Sequence, residues 1–245
     1  MAWPLLYWLT RFLNMRILLL SAVALAAVAV PARAESSPEG WLVPFAAAFQ
    51  PDVAGFNSRF SQHRLPEAGS RHYGWGLELR SLVSGFLIGP LFFRTWDDAE
   101  NDHFQLRTDA TGIFGEAGLK IAPFKFLAIV PTLGLGGLAE SFNIRERTGG
   151  LTLDSLLSSP GRTATVSPGM KLTGLAALEL DISAGTSTGR YGVALRAGYM
   201  YSPFPPSWHL SNGADITDVP ASRIGGPFFS AGILLLPAAE TGAAQ

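Results

Sequence analysis

Nine ionisable residues, Glu78, Arg80, Glu116, Lys120, Lys171, Glu179, Asp181, Arg190 and Arg196, fall on the polar side of segments in which polar or small residues alternate with apolar ones. Both signs are present, so the group can pair with itself. If these side chains meet in an enclosed space they must pair or hold water, because a lone buried charge is costly. The expectation is an ion-pair network that fills the interior. The alternative is a narrow conducting or proton-coupled path, which Arg190 and Arg196 would bias towards anions. Asp97, Asp98, Glu100 and Asp102 offer oxygen ligands for calcium but lack the spacing and glycine of a calcium loop. His63, His72, His103 and His209 show no paired metal spacing, so no metal site and no cofactor is assigned. Gly134-Leu135-Gly136-Gly137 lies in a strand-like segment with no helix after it, which fits wall curvature better than a phosphate cradle.

These residues need strands to position them. Eight segments read as such: Trp41 to Phe49, His72 to Val83, Gly85 to Trp96, Thr111 to Ala122, Phe126 to Phe142, Gly169 to Ile182, Thr188 to Ser202 and Arg223 to Leu236. Most are about ten residues or longer, the length of a tilted strand that crosses a bilayer. Their connections alternate. Gln50 to Arg71, Asp97 to Ala110, Asn143 to Pro168 and Pro203 to Ser222 are long, whereas Ser84-Gly85, Pro123-Phe124-Lys125 and Ser183 to Ser187 are short. Outer-membrane barrels have this asymmetry of short periplasmic turns and long outer loops. The expected fold is therefore all-β, an antiparallel up-and-down transmembrane β-barrel of about eight strands in one domain.

Alternation decides which face is which. In His72 to Val83, Tyr73, Trp75, Leu77 and Leu79 oppose Gly74, Gly76, Glu78 and Arg80. A soluble barrel would show the same period with its apolar face inward. Two features favour a membrane wall: the charged face is rich in glycine, and aromatics gather near the strand ends. Tyr73, Trp75, Trp96, Tyr199 and Tyr201 would form an outer membrane-interface girdle and Tyr191 an inner one. Gly85 to Trp96 and Arg223 to Leu236 are apolar on both faces and contain Pro90 and Pro227, where bulges or broken pairing are expected.

The N-terminus reads as an export signal. Arg11 and Arg16 precede the apolar run Ile17 to Val30, and Ala32-Arg33-Ala34 is a cleavage site before Glu35. Met15 is a plausible true start. Cleavage would give residues 1–34 as signal peptide, 35–236 as barrel and 237–245 as a short tail. No acidic residue precedes Glu35, so losing Arg11, Arg16 and Arg33 takes the formal charge from −1 to −4. That balance does not suit nucleic acid. The absence of cysteine excludes disulfides, thiolate metal sites and a lipidated cysteine.

Signal peptide, strand count, loop asymmetry and Tyr/Trp placement together resemble the small outer-membrane β-barrel superfamily that includes OmpA-like, OmpX-like and OmpW-like proteins. The resemblance implies a cell outer-membrane location in a Gram-negative bacterium, with the periplasm as the alternative. It implies the outer-membrane assembly machinery, outer-membrane lipid and lipopolysaccharide as partners. Such barrels commonly close on an aromatic residue, whereas this chain runs on through Pro237 to Gln245. Arg59, Arg64, Arg71, Arg107, Arg145, Arg147 and Arg162 lie in expected outer loops, where they could meet lipopolysaccharide phosphates. Leu151 to Leu157 could form a short amphipathic helix on the rim or a partner-binding patch.

His209-Leu210-Ser211-Asn212 in the last long connection resembles the His-x-Ser-Asn signature of outer-membrane lipid A 3-O-deacylases. The resemblance would make His209 the general base and Ser211 the nucleophile. No Glu lies between Ser211 and Glu240 to orient the histidine, and Asp215 or Asp218 could do so only with a different geometry. The leading expectation is a non-enzymatic barrel with a structural or surface-interaction role. A narrow channel for small or hydrophobic solutes comes second, and lipid A hydrolysis third.

Overall fold

The computed structural model describes residues 39–147, 163–186, 189–220 and 223–237. The signal-peptide reading, the Leu151 to Leu157 reading, Arg162 and the tail after Pro237 lie outside the described residues. Within them the chain forms β1 (Glu39–Phe49), α1 (Ala54–Gln62), β2 (His72–Val83), β3 (Phe86–Glu100), β4 (Phe104–Leu119), β5 (Leu127–Glu146), β6 (Met170–Thr186), β7 (Gly189–Tyr201) and β8 (Gly225–Pro237). Each strand pairs antiparallel with the next in sequence, and β1 pairs with both β2 and β8. The sheet is thus a closed eight-stranded up-and-down barrel. Closure leaves no unpaired strand edge along the wall.

The strands form because their residues alternate, and each turn is set by local chemistry. Val83 pairs with Phe86, leaving the two-residue turn Ser84-Gly85 with φ of 52° and 85°. Positive φ at both positions is what a tight hairpin needs to match strand twist. Between β4 and β5 a short strand, Ile121–Phe124, folds onto β5. These turns, with the start of β1 and the end of β8, mark one end of the barrel as the short-turn end and the other as the loop end.

Two expectations need correction at the loop end. Asp97 to Ala110 is not a long loop: β3 and β4 run on as a continuous ladder to Glu100 opposite Gln105. Their inward residues there, Leu106, Thr108 and Ala110, are buried, while Asp98 and Glu100 are exposed and Asp97 is half-buried. Similarly β5 continues past Phe142 to Glu146, and Thr163–Ser167 pairs with its extension. The prolines divide. At Pro90 the β2–β3 ladder breaks, with pairs at Glu78–Leu91 and Ser81–Ile88 and none at Leu79 or Arg80. Pro227 leaves its register intact opposite Tyr199, and its carbonyl accepts from Gln50 N at 2.9 Å. It sits at the outer end of β8, where the ladder with β1 ends, so the missing N–H leaves the rest of the pairing in place.

Gly136 shows why the wall needs glycine. A Cβ there would overlap the Ile113 carbonyl oxygen and crowd the Phe114 Cα on β4. Backbone cannot move aside as a flexible side chain can, so Gly136→Ala should destabilise the folded barrel by about 1–3 kcal/mol through overpacking. Guanidinium unfolding in lipid vesicles would measure the shift. An unchanged midpoint would mean that β4 and β5 do not approach as closely as described.

Outside, exposed Leu77, Leu79, Ile113, Leu135, Leu178 and Ile233 form an apolar belt between the two aromatic levels. Inside, the lumen is layered. Near the short-turn end Trp41, Val43, Leu87, Val130, Ala194 and Leu234 pack together. Farther out comes an aromatic layer with Phe45, Phe49, Phe93, Phe114, Leu138 and Phe228. At the loop end Val53, Phe56, Phe60, Leu106, Phe142 and Trp208 form a third cluster over the mouth.

Candidate functional site

The lumen charges sit where alternation puts them. Glu78 and Arg80 share the inner face of β2, Glu179 and Asp181 that of β6, Glu116 that of β4 and Arg196 that of β7. Arg196 stands directly opposite Glu179 in the β6–β7 register. Arg80 binds Glu179 from the far side of the barrel, since β2 and β6 are four strands apart in either direction.

Six of the nine expected residues meet in one cluster. Arg80 Nη2 donates to Glu78 Oε2 at 2.8 Å and to Glu179 Oε2 at 2.6 Å. Its Nη1 is bonded to Glu179 Oε1 and lies 3.5 Å from Asp181 Oδ2. Arg196 donates through Nε to Glu179 at 2.8 Å, through Nη1 to both oxygens of Glu116 at 3.1 and 3.0 Å, and through Nη2 to Glu78 at 2.8 Å. None of the six is more than 8% exposed. Planar guanidinium forks let two cations serve three carboxylates, which lysine could not do. The cavity left among them is about 10 Å³. That is roughly the threshold for a single water molecule.

The other three expected lumen residues lie apart. Lys120 places its amine 4.5 Å from the Trp41 ring centroid at the short-turn end. Lys171 pairs with Leu138 near the loop end, eight residues along β6 from Glu179. Arg190 lies at the inner end of β7 opposite Gly185 and Leu236, and its side chain is outside the described set.

The girdle residues face outward. Tyr73, Trp75 and Tyr199 are more than half exposed at the outer level, and Tyr191 is half exposed at the inner one. Trp96 pairs with Tyr73 and carries the Arg107 guanidinium 5.7 Å from its ring centroid. Tyr201 is half-buried opposite Gly174 and Gly225.

The loop end carries a feature the sequence reading missed, an apolar lid. Phe56 of α1 lies 4.5 Å from Phe142 and 4.8 Å from Trp208 between ring centroids, and Phe60 lies 5.6 Å from Phe142. The spacing of Val53, Phe56 and Phe60 is that of one helix face, a signal that could have found α1. Below the lid, Glu140 is buried and accepts from Gly225 N at 3.2 Å, and His72 Nε2 meets Thr108 Oγ1 at 2.9 Å.

The rim candidates fall into place individually. His209 and Leu210 form a two-residue strand on Thr163–Ser167. His209 Nδ1 is 2.7 Å from Asp215 Oδ1, and an isolated bridge joins the two residues. Ser211 is exposed at the following turn, and among the described residues no hydrogen bond joins it to His209. Asp97 accepts from Gly69 N at 3.0 Å, Asp98 lies 3.9 Å from Arg107, and Glu100 lies 3.6 Å from Arg147. Asp102 is exposed, and no group of metal-binding side chains occurs among the described residues. Arg59 pairs with Asp218 at 3.0 Å, while Arg64, Arg71 and Arg145 are exposed.

No family model and no curated protein matches the sequence. Solved structures do match. A major outer membrane protein from Thermus thermophilus is similar with a TM-score of 0.53 and 10% identity, over 82% of this chain and 100% of that one. Neisserial surface protein A (0.40, 12% identity, 82% and 99% coverage) and Ail of Yersinia pestis (0.43, 12%, 82% and 99%) also align. At this identity the Thermus likeness establishes a shared fold, a closed antiparallel up-and-down β-barrel.

Proposed function

We propose that the protein is an integral outer-membrane barrel that conducts no steady current and acts at its structured outer rim, in a structural or surface-interaction role without catalysis. The observation that carries this reading is the double closure of the lumen. A closely paired charge cluster with about 10 Å³ of free space lies beneath a layer of packed aromatics. The apolar belt and its two aromatic levels support membrane insertion. Lipopolysaccharide at the exposed rim arginines and the outer-membrane assembly machinery are the partners this reading implies.

Two measurements test it. Purified protein in planar bilayers should show no steady conductance, and a reproducible unitary current would favour the narrow-channel reading instead. Cells should yield it with outer membranes, migrating faster in gels unless boiled. Recovery as a soluble periplasmic protein would overturn the membrane reading.

The His209–Asp215 contact at 2.7 Å supports a second reading, lipid A hydrolysis by His209 and Ser211. A base oriented by an acid is half of a nucleophilic site, the other half being a hydroxyl in reach of the free imidazole nitrogen. Mass spectrometry of lipid A from cells with and without the protein separates the two. Loss of an ester-linked acyl chain only when His209 is intact would replace the non-enzymatic reading.

A further inference from the structure

The last loop closes in a small hairpin at the rim. Ile216 N donates to the Trp208 carbonyl at 2.9 Å and Leu210 N to that of Ala214 at 2.9 Å, so His209 and Asp215 stand opposite each other. Ser211, Asn212 and Gly213 make the connection. Gly213 N donates to the Leu210 carbonyl at 2.8 Å, and Gly213 has a φ of 82°. A three-residue hairpin loop that ends in the left-handed region takes glycine there at no steric cost.

The loop brings together the two halves of a chemical step. Asn212 Oδ1 accepts from Ala214 N at 3.0 Å, which folds the side-chain carbonyl back along the chain over the intervening Gly213 peptide. Asn212 and Gly213 are both exposed, and a Cβ at Gly213 would meet nothing within 4 Å, so no packing shields that nitrogen. The other asparagines among the described residues are half-buried and held differently. Asn57, before Ser58 in α1, is pinned at both side-chain ends by the backbone of Ala68, at 2.9 and 2.8 Å. Asn101 also folds back, accepting from His103 N at 3.0 Å, but its Nδ2 is tied to the Arg64 carbonyl at 2.9 Å and Asp102 follows it. Asn143 lies in the β5 ladder between Arg107 and Thr165, before the branched Ile144.

We infer that Asn212 is a site of spontaneous deamidation through a cyclic imide, so that the rim loop gains a carboxylate as the protein ages. The Gly213 nitrogen gives its proton to solvent and bonds to Asn212 Cγ, the Cγ–Nδ2 bond breaks, and Nδ2 leaves as ammonia with a proton returned from water. Water then opens the imide. Opening at the side-chain carbonyl gives aspartate, and opening at the backbone carbonyl gives isoaspartate, whose main chain runs through Cβ. The bond from Gly213 N to the Leu210 carbonyl has to break first, so the rate follows the local opening of the turn. An extra main-chain atom in a three-residue loop shifts the hairpin register. Isoaspartate should therefore part His209 from Asp215, now 2.7 Å apart, and Ser211 N from the Thr165 carbonyl at 3.0 Å.

The full chain, folded in vesicles and held at mildly alkaline pH, can be sampled over days and mapped by peptide mass spectrometry. Trypsin releases Asn212 on the peptide between Arg196 and Arg223. In that peptide a growing fraction should carry oxygen in place of NH, at a rate at least about tenfold above Asn57, Asn101 and Asn143, whose held side chains react only on local opening. An isoaspartyl methyltransferase should label the same peptide, because only the imide route yields isoaspartate. Gly213→Ala should lower the rate by about fivefold or more, since a Cβ crowds the attacking nitrogen. Conversion at Asn212 no faster than at the other three overturns the site, as does conversion confined to protein unfolded in urea. Aspartate without isoaspartate would mean direct hydrolysis and overturns the imide route. The site does not depend on membrane insertion, so a chain recovered as soluble protein tests it equally.

Discussion

Arg196→Leu is expected to lower the barrel's unfolding free energy by about 3–5 kcal/mol, the cost of removing one partner from a buried ionic network. Arg196 makes bonds of 2.8 to 3.1 Å to Glu179, Glu116 and Glu78, and it is the sole cation that touches Glu116 among the described residues. Leucine would fill much of the volume but leave Glu116 buried with no donor. The loss therefore comes from the stranded carboxylate more than from missing contacts, and a second change separates the two. Glu116→Gln in the Arg196→Leu background removes the stranded charge, so the double variant should recover roughly 1–2 kcal/mol relative to the sum of the singles, within the usual range for coupled neighbours. Guanidinium unfolding in vesicles measures all three. If Arg196→Leu costs under about 1 kcal/mol, the lumen is wet, the charges are solvated, and the sealed-plug account of the barrel fails.

The cluster also marks where sequence reasoning stops. That Glu78, Arg80, Glu116, Glu179, Asp181 and Arg196 face inward follows from alternation within each strand, because a period of two fixes a face regardless of neighbours. Which of them meet depends on register between strands and on the stagger that closes the barrel, and neither is written in a single segment. Lys171 is the instructive case: it alternates correctly on β6 yet lies eight residues from Glu179, near the loop end, with Leu138 opposite. The β2 boundaries match the expectation at both ends because Ser84-Gly85 is a sharp turn signal and the long connection before His72 ends there.

At the loop end polarity misled. Asp97, Asp98, Glu100, Asn101 and Asp102 read as loop, yet Leu106, Thr108 and Ala110 supply a buried face that lets β3 and β4 continue. Above the apolar belt one face of a strand can meet water, so acidic residues there do not end it. Helix α1 had no capping residue to announce it, since Val53 precedes it without a side-chain cap. Packing from other parts of the chain holds it, and packing is what a local reading lacks.

That dependence on packing makes Phe142→Ala the second large expectation, because Phe142 touches every aromatic of the lid. It is 3% exposed, with Phe56, Phe60 and Trp208 rings at 4.5, 5.6 and 5.5 Å. Emptying such a site costs about 3–5 kcal/mol. The lid forms a hydrophobic cluster separate from the aromatic layer of the lumen, so the cost should fall on α1 and not on the wall. Of the ties of α1 to the last loop, Phe56 on Trp208 at 4.8 Å loses the ring that backs both, and Arg59 to Asp218 at 3.0 Å is an exposed ion pair. Exposed pairs contribute little. Amide hydrogen exchange across Ala54–Gln62 should therefore accelerate by roughly 10²- to 4 × 10³-fold, that free energy expressed as a local opening equilibrium. Trypsin should then cut at Arg59 and Arg64 in vesicle-embedded protein, while the heat-modifiable gel shift stays as it was. Exchange in α1 that matches the unmodified protein would mean that the aromatic cluster does not hold the lid. Loss of the gel shift along with the lid would mean that lid and wall form one cooperative unit, and a rim free to meet a partner without disturbing the barrel would have to be given up.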